Sequence, residues 1–360
     1  MSQRSGSFEL LAQFSEDSLA LALQYLNERG FQQTGRLPLV AARQWRWGWE
    51  LEAWKRFRAG LPNIQEVGMP RLYWRAEKSE RRRLFYHLTL GESDPELAGC
   101  PELQAFHATG CDGLDAGCPL WTVVSRFGRY ILRSHPCLEA QNFVYFGDDT
   151  LFLMDRSRQL LSQLQEVLDG PLSCLDLCCG SGGVGLSLPP FDGDLLGVDL
   201  NPVAIQVAHL TAKVQGLDHY RYRCCDVESG LEGEFDLIFG NPPTLSPTLT
   251  GQDVFHATGT LEAFRSLLQG VMQTLKPTGY ALLTLFSEVV DGVDRARAAV
   301  EETLSGVRGF RYEVRREFRL GGNRRLRHCA LELLPASSDL QEFCPLLDPG
   351  MELPALAWRR

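Results

Sequence analysis

The spacing of apolar positions changes near residue 150, where short apolar runs begin to alternate with amphipathic stretches. The apolar runs are CLDLCC, LLGVDL, YRYRCCDV, FDLIFG and YALLTLF, and the amphipathic stretches include Pro202 to Gln215 and Leu261 to Leu275. Strands alternating with helices build a parallel sheet covered on both faces. The pattern therefore predicts an α/β fold with a doubly wound, mostly parallel sheet of seven strands. Two last strands, near Phe310 to Leu320 and Arg327 to Leu334, flank Gly321-Gly322-Asn323 and predict a hairpin at the sheet edge.

The preceding part of the chain has a mixed pattern. Ser15 to Gly30 predicts a capped helix that ends at a glycine, and a second helical stretch follows around Trp45 to Arg58. Between Arg71 and Pro136, the runs RLFYHLTL and LWTVVSRFGRYILRS are typical of strands. We therefore expect a smaller α+β module over residues 1–142, an α/β domain over 143–336 and a tail over 337–360. The N-terminal module is expected to bind substrate or to act as a lid.

Composition excludes several classes of protein. The 360 residues suit two domains, and 44% hydrophobic residues are enough for a sizeable core. A net charge of −9 disfavours binding nucleic acid through bulk electrostatics. The chain has no run of eighteen apolar residues, and Met1 to Leu10 lacks the features of a secretory signal. The expected location is the cytoplasm, without a membrane partner.

The eleven cysteines are expected to be mostly reduced thiols. Cys100, His107, Cys111 and Cys118 fall in one segment, but their spacing matches no zinc signature. No metal is therefore expected.

The segment from Leu175 to Gly183 places an apolar strand before a glycine-rich turn. Glycines allow a ligand to approach the backbone, and Gly180, Gly182 and Gly185 have the dinucleotide-binding spacing, so the glycines alone do not exclude a dehydrogenase. More specific is a series of carboxylates at or near the ends of successive strands: Asp176, Asp199 and Asp226. Such carboxylates also cap turns and helices. Three of them in corresponding places favour an adenosine-containing ligand.

Asn241-Pro242-Pro243 ends the strand FDLIFG, at the carboxyl edge where open α/β sheets place their chemistry. Prolines donate no hydrogen bond, so neighbouring carbonyls are available as acceptors for an N–H group. A simple strand-ending turn is the alternative explanation.

Taken together, LDLCCGSGG, GVDLNPVAIQVAH, CDV and FDLIFGNPP resemble the class I Rossmann-like methyltransferases over roughly residues 145–335. The resemblance implies S-adenosylmethionine as cofactor. It places Asp176, Gly180 and Gly182 near the methionine part of this methyl donor, Asp199 at its ribose, and Asp226 with Val227 at its adenine. Cys178, Leu200 and Asn241 complete the expected donor-binding set.

Asn-Pro-Pro followed by an aromatic residue is typical of methyltransferases that modify amide or base amino nitrogens, including the release-factor glutamine methyltransferases. This resemblance implies that Asn241 and Pro242 hold the acceptor nitrogen as catalytic residues, and that Pro243 and Thr244 contact the substrate. Thr244 stands where the family has an aromatic ring, which favours a smaller acceptor. Asp149 and Thr150 resemble a segment that lines the site in the glutamine-modifying family, although a helix cap explains them equally well. Tyr145 is a further candidate for the substrate-binding surface.

The sequence thus predicts an N-methyltransferase acting on a small-molecule nitrogen. A protein glutamine, or an rRNA or tRNA base, is the alternative acceptor, and a non-catalytic donor-binding scaffold is a further alternative. O-methylation also stays open. Eight arginines between Arg308 and His328 predict either a phosphate-binding surface or a charged edge that avoids strand pairing.

Overall fold

The structure is a computed structural model that describes residues 15–31, 83–89, 91–107, 117–135, 144–226, 231–244, 259–321 and 323–336. The helix predicted around Trp45 to Arg58 and the predicted tail over 337–360 lie outside these residues. The chain divides into two compact units, and the division falls between Asp148 and Asp149. The role predicted for the N-terminal module stays a prediction.

The first unit begins with the predicted helix, α1 (Glu16–Glu28). Ser15 precedes it and accepts a hydrogen bond from the Ser18 N–H, which satisfies one of the free amides of the first turn. After the helix, Gly30 adopts a φ of 62°, in the left-handed region where a glycine is favoured. The expected capped helix is confirmed.

The strand predicted for RLFYHLTL is wrong, because this run forms a helical turn that continues as a π-helix (Phe85–Thr89). Leu84 and Leu88 lie one helical turn apart, and both are fully buried. Thr89 Oγ1 also donates to the carbonyl of Val123 at 2.9 Å. Burial at helical spacing outweighed the strand-like composition of the run.

Two short helices follow, α2 (Pro95–Ala98) and a 3₁₀-helix (Pro101–Phe106). The second strand-like run forms the predicted strands as an antiparallel hairpin of β1 (Trp121–Arg126) and β2 (Arg129–Ser134). Its two turn residues, Phe127 and Gly128, both have positive φ values, 53° and 72°. Two successive left-handed residues form the type of turn that matches the twist of a hairpin.

The second unit contains the predicted α/β sheet. Its elements, in chain order, are α3 (Asp148–Val167, which starts at the division), β3 (Leu172–Leu177), α4 (Gly183–Leu186), β4 (Gly193–Asp199), α5 (Pro202–Val214), β5 (Tyr220–Cys224), β6 (Phe235–Gly240), α6 (Leu261–Thr274), β7 (Leu275–Val290), β8 (Val293–Asp294), α7 (Arg295–Leu304), β9 (Phe310–Gly321) and β10 (Arg324–Leu333).

Seven strands lie in the order β5-β4-β3-β6-β7-β10-β9, and the two-residue β8 pairs with β7. The strands from β5 to β7 are parallel, whereas β10 is antiparallel to both of its neighbours. The predicted doubly wound, seven-stranded sheet is confirmed. The predicted hairpin is also present, but β10 lies inside the sheet and only β9 forms the edge.

The two faces of the sheet are covered differently. On one face, Leu331 and Leu333 belong to an apolar cluster with residues of α6 and α7, such as Phe264, Leu268 and Val300. Side chains alternate between faces along a strand, so Glu332 points to the other face. There it forms a buried ion pair with Arg156 of α3, at 3.2 Å.

Register brings the candidate functional residues to one edge of the sheet. Leu177 pairs with Val198 on one side and with Gly240 on the other, so β3, β4 and β6 end at the same level. The residues that follow these strands are therefore neighbours at the carboxyl edge, where ligands bind in open α/β sheets.

Candidate active site

The turn between β3 and α4 has an unusual backbone. Cys178, Gly180 and Gly182 all lie in the left-handed region, with φ values of 55°, 54° and 76°. For Cys178, which carries a side chain, this conformation costs about 1 kcal/mol. A hydrogen bond from the Cys179 N–H to the Val198 carbonyl, at 2.9 Å, ties the turn to β4. The turn is thus a fixed, curved cradle rather than a freely moving loop.

Asp199 ends β4 and holds the cradle from the side. One of its oxygens accepts from the Gly180 N–H and the other from the Asn201 N–H, both at 2.8 Å. Burial raises the pKa of Asp199, and hydrogen bonds from the backbone of Asn201, Gly180 and Leu200 oppose the rise. A carboxylate has about four acceptor positions, so these three backbone bonds leave Asp199 able to accept from one hydroxyl group.

Two other predicted donor-site residues lie beside Asp199. Leu200 is a large apolar side chain with 51% of its surface exposed, which gives a flat ligand an apolar surface to rest on. Asp226 is exposed, two residues beyond the end of β5. Val227 lies outside the described residues.

Asp176 has a different environment from the one its predicted role suggests. Its carboxyl is buried and accepts from the Gly185 N–H at 2.9 Å. Burial raises the pKa of Asp176 well above its ordinary value, and the hydrogen bond from Gly185 opposes the rise. Asp176 therefore holds the start of α4 against β3, and its predicted contact with the methionine part stays a prediction.

Tyr222 packs against the glycine-rich turn and is a residue that the sequence did not single out. A Cβ on Gly182 would lie 2.8 Å from the Tyr222 hydroxyl, and a Cβ on Gly197 would lie 2.4 Å from its ring. The ring therefore occupies the space that the two glycines leave open. Within the described part of the chain, the buried hydroxyls of Tyr222 and Ser181 have no hydrogen-bond partner.

These features fit S-adenosylmethionine. Asp199 has acceptor capacity for a ribose hydroxyl, Leu200 offers an apolar surface to an adenine, and Gly180, which is only partly buried, adds no side chain to the turn. The unsatisfied hydroxyl of Ser181 lies in the same turn and can bond to a polar group. Burial, together with the nearby Asp199 and Asp176, raises the pKa of Cys178 well above its ordinary value. Cys178 therefore stays a neutral thiol.

The acceptor side is built around Asn241. Gly240, the last residue of β6, has no space for a side chain, because a Cβ there would lie 2.5 Å from the Leu177 carbonyl oxygen. Asn241 then donates from Nδ2 to Asp149 Oδ2 at 2.8 Å, and its Oδ1 accepts from Thr284 Oγ1 at 2.7 Å. An ionised carboxylate only accepts, so Asp149 fixes which end of the amide carries the N–H groups.

The structure places Asp149 and Thr150 in the first turn of α3. Thr150 N–H donates to Asp149 Oδ1 at 2.8 Å, while Asp149 Oδ2 holds Asn241. The Asp149 carboxylate thus bonds both to the first turn of α3 and to Asn241. A helix cap and a residue of the candidate site are therefore compatible explanations of this segment. Tyr145 belongs to the first unit, and its proposed contact with substrate stays a prediction.

The rest of the motif is tied to neighbouring segments. Pro242 is buried, and Gly259 lies so close to Pro243 that a Cβ would come within 1.9 Å of the Pro243 carbonyl oxygen. Thr244 Oγ1 accepts from the Phe286 N–H at 2.7 Å. Thr244 therefore anchors the motif to β7. Thr284 and Phe286 were not predicted, although a threonine inside the apolar run YALLTLF was a signal for the first of them.

Most arginines of β9 and β10 form ion pairs with carboxylates. Arg324 pairs with Glu288 at 3.1 Å and Arg325 pairs with Glu317 at 2.9 Å. Arg327 contacts Asp294 at 3.0 Å. These pairs favour the charged edge over the phosphate-binding surface.

The segment considered as a metal site runs from Cys100 to Cys118, and its Cys111 lies outside the described residues. His107 instead stacks on His87, with their Nε2 atoms 3.1 Å apart. Nowhere in the described ranges do three or more histidine, cysteine or acidic residues form a group suited to a metal ion. No helix in the same ranges is long and apolar enough to cross a membrane.

Comparison with known proteins agrees with this geometry. The family model for the methyltransferase small domain matches residues 153–287, which contain the donor cradle and the Asn-Pro-Pro motif. The chain carries a class I S-adenosylmethionine-dependent methyltransferase domain. The methyl donor and the family expected from the sequence are thereby confirmed.

The relatives that resemble this chain are named for different acceptors. It is 31% identical over 169 residues to a ribosomal protein uL3 glutamine methyltransferase of Neisseria meningitidis, covering 41% of this chain and 54% of the relative. It is 26% identical over 242 residues to a release factor glutamine methyltransferase of Xylella fastidiosa, covering 62% and 82%. A 23S rRNA (uracil(747)-C(5))-methyltransferase of Proteus mirabilis is 37% identical over 71 residues, 19% of each chain. The chain thus spans about half the length of the uL3 relative.

Proposed function

We propose that this protein transfers a methyl group from S-adenosylmethionine to the side-chain amide nitrogen of a glutamine in a protein. The observation that carries the proposal is the fixed Asn241 amide, held by Asp149 on one side and by Thr284 on the other. The two relatives with the longest matches among those described above are both named for glutamine, which supports the same acceptor.

An amide nitrogen is a poor nucleophile, so its N–H groups must be held while its lone pair faces the methyl group. S-adenosylmethionine would supply a methyl group whose bond to the positively charged sulfur breaks as the bond to nitrogen forms, leaving S-adenosylhomocysteine and one proton released from the nitrogen. Asn241 Oδ1 accepts from Thr284 and has a second lone pair for an N–H of the acceptor. Because Asp149 fixes the direction of the Asn241 amide, this oxygen is already oriented before the acceptor binds. Such alignment is a large part of what catalysis of a displacement requires.

The sequence favoured a small-molecule acceptor because Thr244 is not aromatic. That argument weakens once Thr244 is seen to bind the Phe286 N–H, since the threonine then has a structural reason to be there. An RNA base has less support, because the rRNA-modifying relative matches only 71 residues and is named for methylation of a carbon.

Incubation with radiolabelled donor and a fractionated cell extract tests the proposal. We expect label in the protein fraction, released as methylamine when the labelled protein is hydrolysed in acid, because that hydrolysis cleaves an amide and frees its methylated nitrogen. Asn241→Ala should abolish transfer, whereas Asn27→Ala, an exposed change on α1, should leave transfer intact. Label confined to RNA or to small molecules would contradict a glutamine acceptor. Binding of the donor without methyl transfer to any fraction would favour the alternative of a non-catalytic, donor-binding scaffold.

A further inference from the structure

The Asn-Pro-Pro motif of this chain has no aromatic ring at its fourth position, yet the residue bound to that position is aromatic. Thr244 Oγ1 accepts from the Phe286 N–H at 2.7 Å. β6 ends at Gly240, which pairs with Leu283 of β7, so Phe286 lies beyond the end of β6. Thr244 thus satisfies an amide of β7 where the neighbouring strand has stopped.

Phe286 lies on the face of β7 that holds Asn241. Thr284 and Phe286 are two residues apart on one strand, and such residues point to the same face of a sheet. Thr284 Oγ1 donates to Asn241 Oδ1 at 2.7 Å. Phe286 is therefore the next side chain on that face toward the carboxyl edge, and it is only partly buried. Part of Phe286 is therefore exposed to solvent.

His328 supports this ring from the neighbouring strand. It is the direct cross-strand partner of Phe286, and the two ring centroids are 5.0 Å apart with the planes tilted by 32°. His328 is buried, and its Nε2 has no hydrogen-bond partner within the described ranges. Burial lowers the pKa of His328. The charge of Asp149 opposes this decrease, whereas Arg316 and Arg315 add to it. The ring is therefore neutral at neutral pH. A neutral ring packed against Phe286 restricts the orientations that Phe286 can adopt.

We propose that Phe286 is a specificity-determining residue that stacks on the planar acceptor group, replacing the aromatic ring that Thr244 lacks, with His328 as its support. This inference rests on the proposed transfer to a planar amide. Thr244 and Phe286 then divide one task between them, since the threonine fixes the backbone and the phenylalanine provides the ring. The acceptor class remains planar, although the motif itself contains no stacking group.

The test compares Phe286→Leu, which removes the ring but keeps an apolar side chain, with Phe286→Trp, which keeps a ring. The acceptor probe is the protein fraction of a cell extract, titrated at a fixed saturating concentration of labelled donor. Phe318→Leu makes the same chemical change on β9 and serves as the matched control. Thermal unfolding and the affinity for S-adenosylhomocysteine report whether each variant keeps its fold and its donor site.

We expect Phe286→Leu to raise the half-saturating acceptor concentration about tenfold, as loss of an aromatic stacking contact does, with donor affinity unchanged. Phe286→Trp should stay within about threefold of the wild type on the same scale. A Phe286→Leu variant that binds donor normally and saturates like Phe318→Leu would overturn the inference. If Phe286→Leu fails to fold, an unchanged half-saturating concentration in His328→Leu would overturn it instead.

The two proposals fail separately. If the wild type labels RNA rather than protein, the glutamine acceptor is wrong, and the same titration with RNA then decides whether Phe286 stacks on the acceptor. If the wild type labels a protein amide and Phe286→Leu is unaffected, the glutamine acceptor stands and the stacking role is wrong.

Discussion

Asp149 and Asn241 are separated by 92 positions in the chain and are joined by a 2.8 Å hydrogen bond from Asn241 Nδ2 to Asp149 Oδ2. The bond connects the first turn of α3 to the end of β6. It determines that Nδ2 of Asn241 faces the helix and that Oδ1 faces Thr284, which donates to it. The side chain at the centre of the proposed chemistry therefore has one orientation.

Asp149→Ala should lower kcat/KM for methyl transfer by about a hundredfold, because a misplaced reacting group costs about that much even for a small displacement. Affinity for S-adenosylhomocysteine, measured by calorimetry, should not change. Asp169→Ala, an exposed change after the end of α3, is the matched control. A normal rate in Asp149→Ala would mean that Asn241 is oriented by something else.

Thr284→Val keeps the shape of the side chain and removes the hydroxyl that donates to Asn241. We expect a loss of about tenfold in kcat, the effect of one neutral hydrogen bond of about 1 kcal/mol together with looser orientation. Thr284→Ser, which keeps the hydroxyl, should recover most of the rate. Equal rates in the valine and serine variants would assign Thr284 a packing role only.

Gly182→Ala tests the contact between the donor turn and Tyr222. The added Cβ would lie 2.8 Å from the tyrosine hydroxyl at a φ of 76°, so the free energy of unfolding should fall by about 2–3 kcal/mol and donor affinity should decrease. Gly216→Ala is the control, because its φ is 71° and a Cβ there meets nothing within 4 Å; it should cost only about 1 kcal/mol.

In the Gly182→Ala background, Tyr222→Leu should recover part of the lost stability, and urea unfolding of both single variants and the double variant measures this coupling. Additive effects would show that the alanine is accommodated without moving the ring.

Arg156→Met breaks the buried ion pair with Glu332. Among the described residues, the carboxylate would then keep only Arg311, at 3.5 Å, so the free energy of unfolding in urea should fall by about 3 kcal/mol. The exposed pair of Arg297 and Glu301 offers a comparison, since Arg297→Met should cost less than about 1 kcal/mol. Similar costs for the two changes would show that water reaches Arg156.

The lowered pKa of His107 predicts that the first unit loses stability in acid. Burial, and then the proximity of His87, lower the pKa of His107 to about 4. The neutral ring is thus favoured in the folded state, and its contribution to stability is complete above pH 6.5 and is lost as the pH falls from 6.5 toward 4.

The midpoint of thermal unfolding should therefore drop more between pH 7 and pH 5 in the wild type than in His107→Gln. His209→Gln, an exposed change on α5, should behave like the wild type. An identical drop in all three proteins would contradict the assignment.

The α/β sheet and the positions of the donor-site candidates along the chain were predictable because their signals are local. LLGVDL shows an apolar strand with a carboxylate at its end, and the sheet rules for parallel strands place Asp199 next to the Gly180 turn. The hairpin at Gly321-Gly322-Asn323 has a signal of the same kind. The strand predicted for RLFYHLTL was wrong because the composition of the run suits a strand. Its helical form depends on the burial of Leu84 and Leu88, which the surrounding tertiary structure determines.

The acceptor site was only partly predictable, since its geometry depends on contacts between distant strands. Nothing near Thr244 in the sequence shows that its hydroxyl binds the amide of Phe286, 42 positions later. Likewise, Gly182 and Gly197 have to be glycines because the Tyr222 ring lies against both of them. That contact exists only because β5, which carries Tyr222, pairs with β4. Sequence patterns identified the chemistry, while pairing of strands determined which side chains surround it.

The pair of Arg156 and Glu332 joins the first helix of the sheet domain to its last strand, 176 positions apart. During synthesis, α3 leaves the ribosome long before β10 exists, so Arg156 lacks its main carboxylate until almost the whole domain has been translated. A nascent chain cut before Glu332 would have to bury an arginine without that partner. The final packing of this domain therefore requires β10, one of the last segments of the chain to be translated.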